Sequence, residues 1–599
     1  MRVKTPPVPT PDPTMMPSDF LDKDMALYAI VAGLIILNPP SLSPKLFAAG
    51  GACYAAVQLA AALGYEADGV VVVAALVGLR ALYRLYQIVL TLAATFPLTL
   101  TFPLVVNIIP RFAIAKENFF NSDGASPEVA AKRKAALEEL QKRWSTKYSQ
   151  CLKFGSSLKT LISDVRFTSG RCFPPFNNVT NEYLDPSMAL AKTNGPNVID
   201  IDDNSSLDIS GSYGVNVCGY ENYKKFITTG WEMAKDKGLY LGSLDEITLE
   251  NIKMIKGISG LDEVSFHMSG TEAVMAAVRC ARFNMKKPLV VTFGGAYHGW
   301  WDGMQPAAGN ERTPGDVLCL KDMNSLALSV IKSRSSEIAA VLVNPLQCFH
   351  LNASPPSDLV LKNNDRKVGP KPGYQEWLEK LRAVCTAADV LLIFDEVYTG
   401  FRVHPKGAQA AYGVQADIVT YGKTLGGGLP VGVCCGNKKA MTRADPAKAA
   451  RVAYVIGTFA GHPAVMGSMN AFLKWHARPE TPQMYVDMHK NIDTFIKTAN
   501  AAFKKQVHAL CCVLCSCLLA LYLLADLFCL LLLCCLLLLL SAGLPARARQ
   551  LVLRVVDDVH PGGQIPLDAP VLHARRGRRP LVGGHRPLPL RPRLDAGRL

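Results

Sequence analysis

No lysine, glutamate, asparagine, threonine, methionine or tryptophan occurs after residue 505, although the last 94 residues hold 27 leucines and 11 arginines. The rest of the chain uses every residue type. The break therefore reads as a change in what is translated, an intron or a shifted frame, rather than a change of domain. Metal-ligand spacing is missing as well. Seven of the 17 cysteines crowd between Cys511 and Cys535, and the other ten are scattered from Cys53 to the pair Cys434–Cys435. That scatter excludes a structural zinc site and reads as reduced thiols of an intracellular protein. There is no short repeat, and 49% of the 599 residues are hydrophobic. A fibrous or disordered chain is thereby excluded, and the length excludes a small disulfide-stapled domain. The net charge of +15 is partly an accident of composition: the 11 arginines and five aspartates after residue 505 supply +6 of it. The +9 that remains gives no reason to expect a nucleic-acid partner.

Charge is also missing from long stretches near the N-terminus. Residues 1–24 are a Pro-rich, polar lead-in expected to be mobile, without the pattern of a cleaved secretory signal. Met25–Leu37, Leu46–Tyr65, Val70–Leu79 and Leu85–Pro110 then follow without a single charged side chain. Twenty such residues match the length of a membrane-spanning helix, whereas buried core helices are the plainer reading. Several runs in succession favour transmembrane helices over residues 25–111. Arg111, Lys116 and Lys132–Lys134 place the following domain on the cytosolic side, which makes the protein an intracellular, membrane-anchored one. Residues 112–152 form a connector, with helical spacing of Ala130, Leu137, Leu140 and Trp144.

Residues 153–505 read as a globular α/β domain. Short apolar runs at Leu289–Phe293, Ala339–Val343, Val390–Phe394 and Ile418–Tyr421 alternate with helical segments, the pattern of βαβ units and a largely parallel sheet. Four segments near their ends carry chemistry. Ser269-Gly270-Thr271 opens a helix, where backbone N–H groups can bind phosphate or simply be capped. Tyr297-His298 lies in a glycine-flanked loop, either a stacking aromatic or an ordinary turn. Asp395-Glu396-Val397 ends an apolar strand, where α/β sheets place ligands, a metal being an alternative. Lys423 is enclosed by glycines and apolar residues, as a nucleophilic amine would be, or is an exposed loop lysine.

Together the four segments resemble the class III pyridoxal phosphate aminotransferases, in the glutamate-1-semialdehyde 2,1-aminomutase-like branch, over roughly residues 150–505. The resemblance implies the fold type I of pyridoxal phosphate-dependent transferases and a homodimer. It implies that Lys423 holds the cofactor as a Schiff base and shuttles the substrate proton, while Asp395 faces the pyridine nitrogen. Tyr297 and Val397 would cover the two ring faces, and His298 is a further candidate. Ser269, Gly270 and Thr271 would hold the phosphate with Thr458 from the partner, and Tyr213, in Gly211–Gly214, would line the substrate pocket. No metal is expected. One departure stands out: where many relatives carry Glu-Pro, this chain has Asn344-Pro345, with Gln347 a candidate donor to the cofactor's phenolic oxygen. The expected reaction is amino transfer on a small keto or aldehyde substrate, free or carrier-bound. The other readings are glutamate-1-semialdehyde aminomutase proper, serving 5-aminolevulinate synthesis, and a catalytically dead membrane scaffold. The family's small domain would lie after residue 505, where the aberrant tail 506–599 leaves it disrupted.

Overall fold

The computed structural model describes residues 69–95, 116–165, 374–506, and 181–346 apart from 186, 239, 295, 305–314 and 322. The apolar runs at 25–37 and 46–65, residues 96–110, Gln347 and the tail from 507 onward lie outside them. The description concerns the unit that ends at Gln506.

The first described element corrects the membrane-spanning expectation where it can be checked. Val70–Leu79 and the start of Leu85–Pro110 are not separate spans but one helix, α1 (Gly69–Thr95). Among the described residues no helix is long and apolar enough to cross a membrane. Arg80 and Arg84 interrupt the apolar text, and Arg84 pairs with Glu337 of the globular domain. Helix α2 (Pro127–Lys147) occupies the expected connector. It buries no residue, and Trp144 Nε1 donates to Asp185 O at 2.8 Å. Helix α3 (Ser149–Leu161) runs on past residue 152, its first amides donating to Asp202. A three-stranded antiparallel sheet follows, β1 (Leu190–Asn194), β2 (Asn197–Asp200) and β3 (Ser205–Leu207).

The main sheet has seven strands. These are β4 (Glu263–His267), β5 (Leu289–Phe293), β6 (Val317–Leu320), β7 (Ile338–Val343), β8 (Leu391–Asp395), β9 (Ile418–Gly422) and β10 (Gly432–Gly436), in the order β4-β10-β9-β8-β7-β5-β6. The four strands expected from apolar runs are β5, β7, β8 and β9, all mutually parallel neighbours. Strand β10 was not expected. It runs antiparallel to both β9 and β4, and its sequence, Gly-Val-Cys-Cys-Gly, is too short and small to announce a strand.

Alternation along the strands builds two cores. Every residue of β5, β7, β8, β9 and β10 is buried, as a parallel sheet covered on both faces requires. Leu392, Phe394, Val419, Tyr421 and Val433 face one core. Helices α4 (Tyr220–Ala234), α5 (Glu246–Ser259), α7 (Ser325–Ser333), α8 (Tyr374–Ala387) and α9 (Pro463–His476) contribute to that side. Leu391, Ile393, Ile418 and Cys434 face the other, against α6 (Gly270–Met285). Helix α10 (Thr481–Gln506) ends the described chain.

Helix α6 starts tight against β10. A β-carbon at Gly432 would fall 1.9 Å from Ser269 O, so only glycine lets the two backbones meet. Gly432→Val is expected to destabilise the chain by about 1–3 kcal/mol, read as a lower urea midpoint; an unchanged midpoint would show that the turn at Ser269 is free to move.

Candidate active site

The carboxyl ends of the parallel strands gather the expected residues. Asp395, the last residue of β8, is 4% exposed. Its Oδ2 lies 2.7 Å from His298 Nδ1 and accepts from Asn344 Nδ2 at 3.2 Å. Its Oδ1 accepts from Thr420 Oγ1 at 3.0 Å and from Val397 N at 3.2 Å. His298 Nε2 is buried with no hydrogen-bond partner among the described residues. Strand register explains Thr420, because β8 and β9 pair Asp395 directly opposite it.

Asn344 follows β7 and joins the strand ends to the aromatic loop. Its Oδ1 accepts from Tyr297 N at 3.2 Å and its Nδ2 reaches Tyr297 O at 3.4 Å. The side-chain amide thus copies a backbone pairing and holds Tyr297 outward, 54% exposed, while its neighbour His298 is buried.

Val397 packs between two glycines: β-carbons at Gly270 and Gly422 would fall 2.6 Å and 3.2 Å from its Cγ1. Gly422 precedes Lys423, so the Ser269–Thr271 turn, Val397 and Lys423 share one small volume. At the helix start, Ser269 Oγ accepts from Glu272 N, and Glu272 Oε2 accepts from Met268 N. These two bonds leave the amides of Gly270 and Thr271 outside them, at the positive end of the helix dipole. Gly299 touches the same turn, with Thr271 Oγ1 only 2.6 Å from where a β-carbon would sit.

Lys423 has φ 47°, a left-handed conformation that costs a side-chain-bearing residue about 1–2 kcal/mol. Its Nζ lies 5.6 Å from the ring centroid of Tyr398, which also carries the Arg402 guanidinium at 4.5 Å. Arg402 donates to Gly214 O, so the segment holding Tyr213 borders this ring. Tyr213 itself is 91% exposed. Thr458 is exposed in the loop before α9. Its neighbour Gly457 lies beside Glu272. Asn344, Thr420, Tyr398 and Arg402 touch the expected site residues, and the sequence assigned them no role.

Glu396, the second strand-end acid, turns away. It accepts from Ala408 N at 2.5 Å and Gln409 N at 3.2 Å, fastening the short helix Gly407–Tyr412. Burial pushes its carboxyl from 4.5 up to about 7, with nearby Asp395 acting the same way against those two donors. The folded chain thus holds this proton more tightly than the unfolded one. Its contribution to stability is complete below about pH 4.5 and is lost as pH rises through about 7. Glu396→Gln should flatten that part of a stability profile followed by urea unfolding, whereas the parent should lose stability between those pH values.

The donor set fits pyridoxal phosphate: an amine, a buried acid at a strand end, an exposed aromatic in the adjoining loop and a helix start with two amides outside its cap. Comparison with known proteins agrees. Residues 179–510 match the family described as Aminotransferase class-III. The chain is 34% identical over 318 residues to the glutamate-1-semialdehyde 2,1-aminomutase of Alkaliphilus oremlandii, covering 50% of this chain and 69% of that one. It is 32% identical over 332 residues to glutamate-1-semialdehyde 2,1-aminomutase 2 of Lachnoclostridium phytofermentans, covering 53% and 72%. A solved glutamate-1-semialdehyde-aminomutase from Pseudomonas aeruginosa shares 19% identity, with 58% and 74% covered and a TM-score of 0.46. The chain belongs to the class III aminotransferases, in their glutamate-1-semialdehyde aminomutase-like branch, and is a pyridoxal phosphate enzyme.

Proposed function

We propose that this enzyme moves an amino group onto or within a small keto or aldehyde substrate, with Lys423 as the working amine. The observation that carries the reading is the convergence on Asp395 of His298, Asn344 and Thr420, next to the turn shared by Gly270, Val397 and Lys423. When bound, pyridoxal phosphate supplies a ring that withdraws electrons from the carbon bearing the amine. Asp395 would hold the proton on the pyridine nitrogen, and its hydrogen bonds keep the carboxyl group aimed. Lys423 would bind the cofactor's aldehyde carbon and then take and return the proton at the substrate carbon. Tyr297 would cover one ring face and Val397 the other, and the amides of Gly270 and Thr271 would hold the phosphate with the Ser269 turn. Thr458 would serve the partner's site in a homodimer, and Tyr213 would line the substrate entrance.

Asn344 favours a transaminase over the strict aminomutase. It places a neutral amide where many members of the family carry a charged carboxylate, so the charge balance around Asp395 and Tyr297 differs. A carrier-bound keto or aldehyde group is the substrate class proposed on that basis. The uncharged N-terminal runs would hold the chain at a membrane, with the catalytic domain on the cytosolic side.

Purified full-length protein should bind pyridoxal phosphate with a visible absorbance band that is lost in Lys423→Ala. Amine transfer should fall by about 10²–10⁴-fold in the same variant. A parent protein without the band would sink the reading. Transfer to a keto-thioester faster than turnover of glutamate semialdehyde is the expected order; the reverse order would assign the aminomutase reaction instead.

A further inference from the structure

Helix α1 leaves most of its apolar side chains exposed. A surface helix ordinarily buries its apolar stripe and shows its polar one to water, but here polar residues share the buried side with Leu90 and Ala94. Gln87 is 4% and Thr95 2% exposed. Gln87 Nε2 donates to Ser333 O at 2.6 Å, and Tyr83 Oη donates to the same oxygen at 2.9 Å. Arg84 bonds Gln87 Oε1 at 3.0 Å and pairs with Glu337. Lys321 N donates to Ala94 O at 2.8 Å. These contacts seat the helix on α7 and on the edge of β6. Leu82, Leu85, Tyr86, Ile88, Val89 and Leu92 point the other way, each between 40% and 64% exposed. Arg84 is the only charged residue from 81 to 95, and it is turned toward Glu337.

The chemistry of the occupant follows from the chain on either side. The 20 uncharged residues of Leu46–Tyr65 end just before α1, and the uncharged text continues past it to Pro110. A protein partner is ordinarily met by an apolar patch with a polar rim. Here apolar sequence extends beyond both ends of the helix, and on its outward face stands Tyr86, a residue type that favours the headgroup level. We propose that the outward face of α1 lies in the headgroup–acyl boundary of a lipid surface, so that its polar stripe holds the catalytic domain flush against the membrane. The proposal rests on the membrane attachment proposed above and adds the seat: α1 lies along the lipid without crossing it, and the enzyme is fixed in orientation rather than tethered by a loose connector.

The test uses the full chain in phosphatidylcholine–phosphatidylglycerol vesicles, with the photoreactive residue p-benzoylphenylalanine placed at Leu85, at Val89 or, as a control, at exposed Lys490. Illumination should yield lipid adducts at 85 and 89 and none at 490. Hydrogen exchange across residues 81–95 should rise about tenfold or more in the double variant Arg84→Ala, Gln87→Ala, while flotation with the vesicles is kept. Crosslinks from 85 and 89 to a second copy, or to residues 46–65 of the same chain, overturn the proposal. So does flotation without lipid adducts, which leaves membrane attachment standing and removes the seat. Failure of the parent chain to float overturns the attachment itself, and the proposal with it.

Discussion

A buried carboxylate has to be satisfied, and the active-site end of this domain is arranged around that demand. Asp395 sits at 4% exposure, where an uncompensated charge would cost several kcal/mol. Donors from four chain segments meet it: His298 from the loop after β5, Asn344 after β7, Thr420 within β9, and the amide of Val397 two residues on. Each of the three side-chain donors ties a different strand end to β8. The geometry of the catalytic end is therefore not a set of independent loops, because moving one segment leaves the acid short of a partner. Asn344 extends the same web to the loop of Tyr297.

The two strand-end acids show how environment separates residues that look equivalent. Asp395 and Glu396 are adjacent in sequence and both buried. Side chains point to opposite sides of a strand, so one reaches the site and the other reaches the amides of Ala408 and Gln409. The first is held by donors from across the sheet; the second clamps a single turn of helix and is pushed toward its neutral form by burial.

The parallel strands were readable because burial on both faces leaves near-continuous apolar runs, as in Leu289–Phe293 and Ile338–Val343. The strand-end acid, the glycine-flanked lysine and the helix start were readable because each occupies a position the fold gives to ligands. Thr420 could have been found from register once β8 and β9 were placed side by side. Strand β10 could not, since five small residues carry no period to read. Tyr398 and Arg402 meet Lys423 and Gly214 only through tertiary folding. The helix α1 was misread for a physical reason. Hydropathy reports what a face dislikes, not how the helix is held, and three polar contacts to Ser333 and Glu337 decide its docking.

Among the described residues strand β4 is joined to the sheet through β10 alone, and β10 lies between it and β9. The chain makes β4 and the start of α6 near residue 270 but does not make their sheet neighbour until residue 432. At about 5–20 residues per second of synthesis, the edge strand and its helix wait roughly ten to thirty seconds for a partner. Throughout that interval β4 exposes a free strand edge beside the apolar face of α6, the kind of surface that pairs with other chains. The corner where β4 meets the start of α6 thus closes only once β10 is made, and until then a newborn chain is open there to misassembly and to rescue by a chaperone.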